Sequence, residues 1–244
     1  MPEYVYGVVA SDARVPNGPG ITGAALRLIG SDGAAALVSR LDGDRPALGR
    51  EDLETHVRVV TDALSCGPVL PMRAGVVMSD AQEVRHRLLQ RHAPELRRQL
   101  DELADKVEMR VRATYEEGRV MREVVLECPD IARLRDALRG RPDDATYYQR
   151  IDLGERVAAA VERKRAHDVG RILETLAPVT LDAALTQPAH ERIALSASFL
   201  VSRDRLDEFD RTLDELGQAQ AGRMRIKCTG PLAPHSFVEL VGEV

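Results

Sequence analysis

One stretch, residues 69–112, constrains the fold of this chain most strongly because its hydrophobic period changes twice. It opens with an apolar run, LPMRAGVVM at residues 70–78, and the turn residues on either side predict a mostly buried strand. Ser79 and Gln82 have the spacing of a capping box, which predicts the start of a helix. Residues 107–112, VEMRVR, alternate apolar and charged side chains, as in a half-buried strand. The stretch therefore predicts a joint between two units of helices and strands.

The N-terminal part of the chain predicts alternating strands and helices. The expected order is strand 4–9, loop 11–23, short helix 24–29, strand 34–41, helix 50–64 and strand 69–78. In the helix at 50–64, apolar residues recur at spacings of four and three, as on one face of a helix. This order is most of a split βαβ layer, so we expect a ferredoxin-like α+β domain over residues 1–104.

The remaining residues, 105–244, predict a second α+β domain. Its longest helical pattern, residues 145–177, carries an apolar stripe that a charged block at 162–165 interrupts. Such a helix needs a partner helix, either in this chain or in another. The other expected elements are helices 115–127, 131–138 and 206–216 and strands 193–201, 223–229 and 236–241. We therefore expect a helical hairpin with a long coiled-coil-like helix, followed by a C-terminal tail.

The composition excludes several classes of function. The chain has 244 residues, 44% of them hydrophobic, which is enough for one large or two small domains. A net charge of −5 argues against nucleic acid as the main partner, because phosphate binding needs a surplus of Lys and Arg. No apolar run is long enough to span a bilayer and no signal peptide is evident, so we expect a cytoplasmic protein without a membrane partner. The three widely spaced cysteines, Cys66, Cys128 and Cys228, predict buried, reduced thiols and not a disulfide framework.

A glycine pattern suggests one enzymatic hypothesis. Gly18, Gly20 and Gly23 spell the GxGxxG fingerprint of dinucleotide-binding proteins, and Asp42 lies near the expected acidic position. The fingerprint belongs at the end of a strand, but the first strand here ends about eight residues earlier. The following helix is also too short. A plain connecting loop is therefore the favoured interpretation, and a nucleotide-using enzyme is the alternative.

Motifs for other chemistry are missing from the sequence. None of the six histidines forms an HxxxH pair or lies beside a cysteine at metal-ligand spacing. The carboxylate pair Asp143-Asp144 lies just before a helical pattern, where capping is the simpler role. The sequence therefore predicts no catalytic residues, no metal and no cofactor, and it favours binding or assembly over catalysis.

Two places in the sequence are candidates for partner binding or for docking of the tail. Arg73 is a charged residue inside an apolar run, so it is either buried with a partner or on the exposed face of its strand. In the C-terminal loop, Pro231 and Pro234 fix two backbone angles within five residues. The strands on either side either pair as a hairpin or the tail crosses back to the joint at 69–112. We favour the crossing, with Phe237 as its buried anchor.

Six segments in this order resemble the gas vesicle protein F/L family (GvpF/GvpL). They are YVYGVV at 4–9, LPMRAGVVM at 70–78, VEMRVR at 107–112, YYQRIDLGERV at 147–157, ASFLVSRDRLDEF at 197–209 and IKCTGPLAPHSF at 226–237. The chain departs from the family pattern at Ala74 and His235, where relatives tend to carry aromatic residues.

The resemblance implies a two-domain α+β protein, ferredoxin-like at its N-terminus, with a coiled-coil-like helical part in its C-terminal domain. It also implies a gas vesicle accessory protein without enzymatic activity or cofactor. Its expected partners are the gas vesicle major shell protein and other gas vesicle accessory proteins. The sequence leaves open whether the protein assists assembly transiently or stays as a minor structural component of the vesicle wall. It also leaves open whether the chain is an F-like or an L-like member.

Overall fold

The structure, a computed structural model, describes residues 1–41 and 48–239. It is an α+β fold with two sheets and one long helix, which confirms the predicted fold class. Contacts divide the chain into two compact units: unit 1 is Met1–Met109, Leu200–Arg203 and Gly230–Val244, and unit 2 is Arg110–Phe199 and Asp204–Thr229. The two units are defined by contacts alone. The predicted domain boundary between residues 104 and 105 therefore stays a prediction. Asp42 lies outside the described residues. The expected burial of the cysteines is wrong, because Cys66 and Cys228 are exposed and Cys128 is only partly buried.

Unit 1 contains the first sheet. Its strands are β1 (Glu3–Ala10), β2 (Leu26–Ser31), β3 (Ala34–Arg40), β4 (Val69–Pro71) and β5 (Val77–Met78). The order is β2-β3-β1-β4, and β5 also pairs with β1. Because β3 is antiparallel to both β1 and β2, those two strands run parallel on either side of it, as in a split βαβ unit.

The predicted helix at residues 24–29 is wrong, because this segment forms strand β2. Asp32 and Gly33 form the turn to β3 with φ angles of 50° and 85°, and this mirror-image turn suits a two-residue hairpin. The apolar run at 26–29 is too short for its period to separate helix from strand. The hairpin turn decides the outcome in favour of a strand.

Besides short 3-10 turns, three helical segments belong to unit 1 among the described residues. They are α1 (Arg50–Cys66), α2 (Ala81–Glu83), which continues as a π-helix (Val84–Gln90), and α3 (Ala93–Glu102). The expected capping box is displaced by one residue: the side chain of Asp80 accepts hydrogen bonds from the amides of Gln82 and Glu83, both at 2.8 Å. Apolar residues of the π-helix and α3, including Leu88 and Leu100, pack in one core cluster with the sheet.

The second sheet and four helices make up the rest of the described chain. The strands are β6 (Lys106–Tyr115), β7 (Asp182–Leu185), β8 (Ile193–Ser202) and β9 (Met224–Leu232), in the order β7-β8-β6-β9. The helices are α4 (Arg119–Glu127), α5 (Pro129–Leu138), α6 (Asp143–Leu176) and α7 (Leu206–Ala219). Strand β7 was not predicted, because four small or exposed residues give almost no periodic signal.

The long helix α6 finds its partner helices within unit 2. Val124 of α4, Ile131 of α5 and Ala160 of α6 form a small buried cluster, against which Leu153 and Val157 pack. The partner helices that the apolar stripe of α6 requires are therefore α4 and α5 of the same chain. The helical part is therefore a three-helix arrangement.

A buried polar network also joins elements of unit 2. The Tyr115 hydroxyl donates to Asp168 at 2.6 Å, and Arg223 donates to Asp168 at 2.7 Å and to Glu123 at 2.9 Å. Lys164 lies 3.1 Å from Glu123. Burial and the hydrogen bond to Asp168 raise the pKa of Tyr115, so its hydroxyl stays protonated and donates. The residues of this network lie on β6, α4 and α6 and just before β9. Their contacts therefore attach helices α4 and α6 to strand β6.

The GxGxxG loop packs on the side chain of Tyr6. A Cβ atom at Gly20 would lie 2.5 Å from the Tyr6 hydroxyl oxygen and 2.9 Å from the Ser39 side chain. The amide of Ile21 donates to the same hydroxyl at 2.7 Å. Close packing against β1 and β3 therefore accounts for Gly20 without a nucleotide.

We predict that Gly20→Ala destabilises the protein by about 1–3 kcal/mol, because its methyl group overpacks a buried site. The matched control is Gly30→Ala in β2, where an added Cβ meets nothing within 4 Å. This control should leave stability unchanged or raise it by up to about 1 kcal/mol. Urea unfolding measures both. Equal effects of the two substitutions would contradict the packing of Gly20 on Tyr6.

Candidate functional site

Arg73 lies on a turn that interrupts the predicted strand at 69–78. Strands β4 and β5 both pair with β1, and residues 73–75 loop out between them. Two backbone hydrogen bonds close the loop on β1: the Met72 amide donates to the Tyr6 carbonyl at 2.9 Å, and the Val5 amide donates to the Val76 carbonyl at 3.0 Å. Gly75 has a φ of 97°, which a side chain would disfavour. We call residues 72–76 the Arg73 turn.

The Arg73 side chain is exposed, so the alternative of a buried arginine is wrong. It lies on the turn itself, not on the face of a strand. Among the described residues it forms no ion pair and no side-chain hydrogen bond. The turn thus presents a charged guanidinium group to solvent from a backbone that is fixed on both sides.

Buried side chains hold the Arg73 turn from beneath. The Gly75 amide donates to the Tyr4 hydroxyl at 3.0 Å, and this hydroxyl lies 2.9 Å from Nδ1 of His56. The other ring nitrogen, Nε2, lies 3.2 Å from the Met72 carbonyl oxygen. Because a carbonyl oxygen only accepts, the geometry assigns the proton to Nε2, and Nδ1 then accepts from Tyr4. The Tyr6 ring stacks on His56 at a centroid distance of 5.6 Å.

Burial lowers the pKa of His56 to about 4, and His235 of the tail lowers it further by charge repulsion. The hydrogen bond to the Met72 carbonyl acts in the opposite direction. In the unfolded chain the imidazole has its ordinary pKa of 6.5. Between these two pKa values, the unfolded state therefore binds a proton at His56 and the folded state does not. Stability contributed by neutral His56 is present above pH 6.5 and is lost as the pH falls from that value towards 4.

We predict that the free energy of unfolding falls by about 2 kcal/mol more in the wild type than in His56→Gln between about pH 7 and about pH 5. Glutamine keeps an amide that can donate to the Met72 carbonyl but does not titrate. Urea titrations of both proteins at a series of pH values measure the difference. Parallel pH profiles would show that the imidazole is not held neutral in the folded state.

The C-terminal tail begins where β9 ends. The Gly230–Pro231 bond is cis, and Pro231 is exposed, whereas Ala233 and Pro234 are buried. A Cβ atom at Gly230 would lie 2.6 Å from the Met109 sulfur atom, so only glycine allows this close approach. Strand β9 extends to Leu232, three residues beyond its predicted end.

Hydrogen bonds attach the tail to two buried polar side chains of unit 1. The Ser236 amide and hydroxyl donate to the carboxylate of Glu108 at 2.7 and 3.1 Å. The Gln99 side-chain amide donates to the Glu239 carbonyl at 3.1 Å and accepts from the Glu239 amide at 3.0 Å. Gln99 thus pairs with the tail backbone much as a neighbouring strand would. Both side chains belong to the joint at 69–112.

The predicted strand at residues 236–241 is wrong over the described residues, where His235–Phe237 form a 3-10 turn. Its last two residues lie outside the part of the chain that the structure describes. Phe237 is half-buried, not fully buried, and it packs with Val238 against the core cluster of unit 1. Met72 belongs to the same cluster, so the tail and the Arg73 turn share one body of packing.

Sequence reasoning missed His56, Gln99 and Glu108, which position the turn and the tail. His56 belongs to no motif in the sequence, yet its side chain is only 3% exposed. The alternation in VEMRVR predicted an outward Glu108, yet this side chain is fully buried. No local pattern reveals the partners of Gln99 and Glu108, because these partners lie more than 100 positions away in the chain. Of the three, Gln99 offers a signal, because it is a polar residue within the apolar stripe of its helix.

We predict that Phe237→Ala destabilises the protein by about 1–3 kcal/mol, less than the cost of removing a fully buried phenylalanine ring. The control is Leu126→Ala in α4, whose side chain is 81% exposed, and this change should cost less than about 0.5 kcal/mol. Thermal and urea unfolding measure both. A Phe237 variant that unfolds like the wild type would contradict docking of the tail.

Two features of the described residues bear on other functions. No group of three or more His, Cys, Asp or Glu side chains is arranged to hold a metal ion within residues 1–41 and 48–239. Within the same ranges, no helix combines the length and apolar character that a membrane crossing requires.

Comparison with known proteins gives a consistent result over the whole chain. The family model described as gas vesicle synthesis protein GvpL/GvpF matches residues 3–239. Gas vesicle protein F of Streptomyces sp. (strain CB03234) is 39% identical over 98% of this chain and 100% of its own length. Gas vesicle protein L of the same strain is 28% identical over 99% of this chain and 94% of its own length.

Solved structures show the same fold. The crystal structure of the gas vesicle protein GvpF from Anabaena sp. PCC7120 superposes with a TM-score of 0.88, covers 99% of both chains and is 20% identical. The crystal structure of gas vesicle protein GvpF from Microcystis aeruginosa gives a TM-score of 0.81 at 20% identity, over 98% of this chain and 99% of that one. At this level of identity the likeness concerns the fold.

Proposed function

Because the chain belongs to the gas vesicle synthesis protein GvpL/GvpF family, we propose that it is a gas vesicle accessory protein that binds the hydrophobic shell protein and assists vesicle assembly. The observation that carries the proposal is the family match over residues 3–239 together with 39% identity to a gas vesicle protein F. The protein works in the cytoplasm, at the gas vesicle. It acts by binding, without a cofactor, and other gas vesicle accessory proteins are further partners.

The physical need for such a protein follows from the shell. A subunit with an apolar, gas-facing surface aggregates during synthesis unless another protein covers that surface. A binding protein for this purpose needs a rigid surface, because ordering a mobile segment on binding costs free energy. The Arg73 turn supports this role, since it is closed on β1 by backbone bonds and held by Tyr4 and His56.

The Arg73 turn and the tail are our candidates for the contact with the shell protein. Arg73 offers a planar cation with several donors and no ion pair among the described residues. Pro231 is exposed at the start of the tail, beside the residues that anchor it. Pro234 is buried and Phe237 packs against the core cluster, so we assign both residues to docking of the tail.

We predict that Arg73→Glu weakens capture of the co-expressed shell protein at least about tenfold, equivalent to about 1.4 kcal/mol, without changing the melting temperature. Arg163→Glu is the matched control, because Arg163 is also exposed and forms no ion pair among the described residues. Pull-down of the shell protein with each variant measures the effect.

Three outcomes of this experiment separate parts of the proposal. If the wild-type chain captures no shell protein and leaves its solubility unchanged, the proposed function is wrong. If the wild-type chain captures the shell protein and Arg73→Glu captures it as well as Arg163→Glu does, the function stands and the assignment of Arg73 is wrong. If Phe237→Ala melts like the wild type but loses capture, the tail is an arm for the partner and not a docked segment.

The second candidate is a minor structural component that stays in the gas vesicle wall. Large apolar side chains that remain exposed on α4 and α6 favour it, because an apolar wall would cover them: Met121, Leu126, Tyr147, Tyr148 and Ile151. Washing purified vesicles with urea and probing for this chain separates the two candidates. Retention after the wash supports the wall component, whereas complete release, or absence from vesicles, supports the transient factor.

A further inference from the structure

Unit 1 carries a basic segment that spans the π-helix and the first part of α3. Residues 84–98 hold five arginines against one glutamate, a net charge of +4 in a chain whose net charge is −5. Val84, Leu88 and Leu89 are buried in the core, which turns the arginines to solvent. Arg87 pairs with Glu83, and Arg98 pairs with neighbouring glutamates. The remaining three, Arg85, Arg91 and Arg97, form no ion pair among the described residues, and we call them the basic surface.

Unit 2 carries an acidic surface on α7. Residues 204–219 hold six carboxylates against two arginines, a net charge of −4. Phe209, Leu213 and Leu216 fix the other side of the helix in the core. Glu208 pairs with Arg205. Within α7, four exposed carboxylates form no ion pair among the described residues, and we call them the acidic surface: Asp207, Asp210, Asp214 and Glu215.

We propose that the basic surface of one copy of this chain binds the acidic surface of a second copy. The basic surface offers three exposed arginines without ion pairs among the described residues, and the acidic surface offers four exposed carboxylates without them, so the two surfaces are opposite in sign. Like charges held close on one surface repel each other, and a partner of opposite charge relieves that repulsion. The partner that fits both surfaces at once is the chain itself.

A second copy fits better than a lipid surface or a nucleic acid. Either of those would meet the basic surface but would be repelled by α7 and by the overall charge of −5. In a second copy, the same acidic residues of α7 are the group that the basic surface binds. When each copy uses both surfaces with one partner, the pairing closes into a two-fold dimer, and otherwise it continues head to tail.

The contact is weak and strongly dependent on salt. Exposed ion pairs each contribute little, and their attraction is screened over about one Debye length. This length falls from about 30 Å at about 0.01 M salt to about 8 Å at about 0.15 M. Association is therefore expected at low ionic strength and should weaken steeply as salt is added.

Sedimentation velocity of the full-length chain tests the proposal with a charge swap. One variant reverses the basic surface, Arg85→Glu with Arg91→Glu, and the other reverses the acidic surface, Asp210→Lys with Asp214→Lys. At low salt, the average sedimentation coefficient of the wild type should rise with protein concentration. It should fall again when salt is added. Each variant alone should associate at least about tenfold more weakly, and an equimolar mixture of the two should recover association, because charges of opposite sign again face each other.

A control pair, Arg139→Glu with Arg163→Glu, changes the net charge as the basic-surface variant does but at other exposed arginines. This pair should associate like the wild type, and circular dichroism melting should show that all variants fold. A wild type that stays monomeric at low salt overturns the proposal. So does a mixture that fails to recover association, or a control that loses it equally. If the monomeric wild type instead binds anionic lipid vesicles through Arg85 and Arg91, the basic surface serves a membrane and the proposal is wrong.

Discussion

Two buried tyrosine hydroxyls on β1 hold separate segments of the N-terminal unit around one strand. The Tyr4 hydroxyl accepts the Gly75 amide and pairs with His56 of α1, while the Tyr6 hydroxyl accepts the Ile21 amide. Both tyrosines are at most 1% exposed, so a hydroxyl or amide left without its partner would cost free energy. One strand therefore fixes the glycine-containing loop, helix α1 and the Arg73 turn together.

The tail extends this arrangement to the far end of the chain. Glu108 and Gln99 give its backbone the hydrogen bonds that a neighbouring strand would give, and Phe237 covers part of the same core that contains Met72. The proposed contact with the shell protein therefore depends on segments from both ends of the sequence. An accessory protein that covers an apolar partner gains from such rigidity, because little order has to be created on binding.

The sequence allowed prediction of the elements whose pattern is long or strongly periodic. Helix α6 and strand β8 were placed within two residues of their observed bounds, and six ordered segments sufficed to indicate the family. Prediction failed where a distant contact decides the structure. The run at 26–29 is a strand because its turn pairs it with β3, and residues 69–78 divide into two strands because Gly75 turns onto Tyr4. Burial of a glutamate such as Glu108 depends on a partner 128 residues away.

Hydrogen exchange at the Gly75 amide, compared between the wild type and Tyr4→Phe, tests most directly whether β1 holds the Arg73 turn. Phenylalanine keeps the ring but removes the oxygen that accepts this amide, so a buried donor loses its partner. The account predicts strong protection of the Gly75 amide in the wild type and a loss of protection by at least about tenfold in Tyr4→Phe, a larger loss than at other buried amides of the protein. An amide that stays equally protected in both proteins would contradict it.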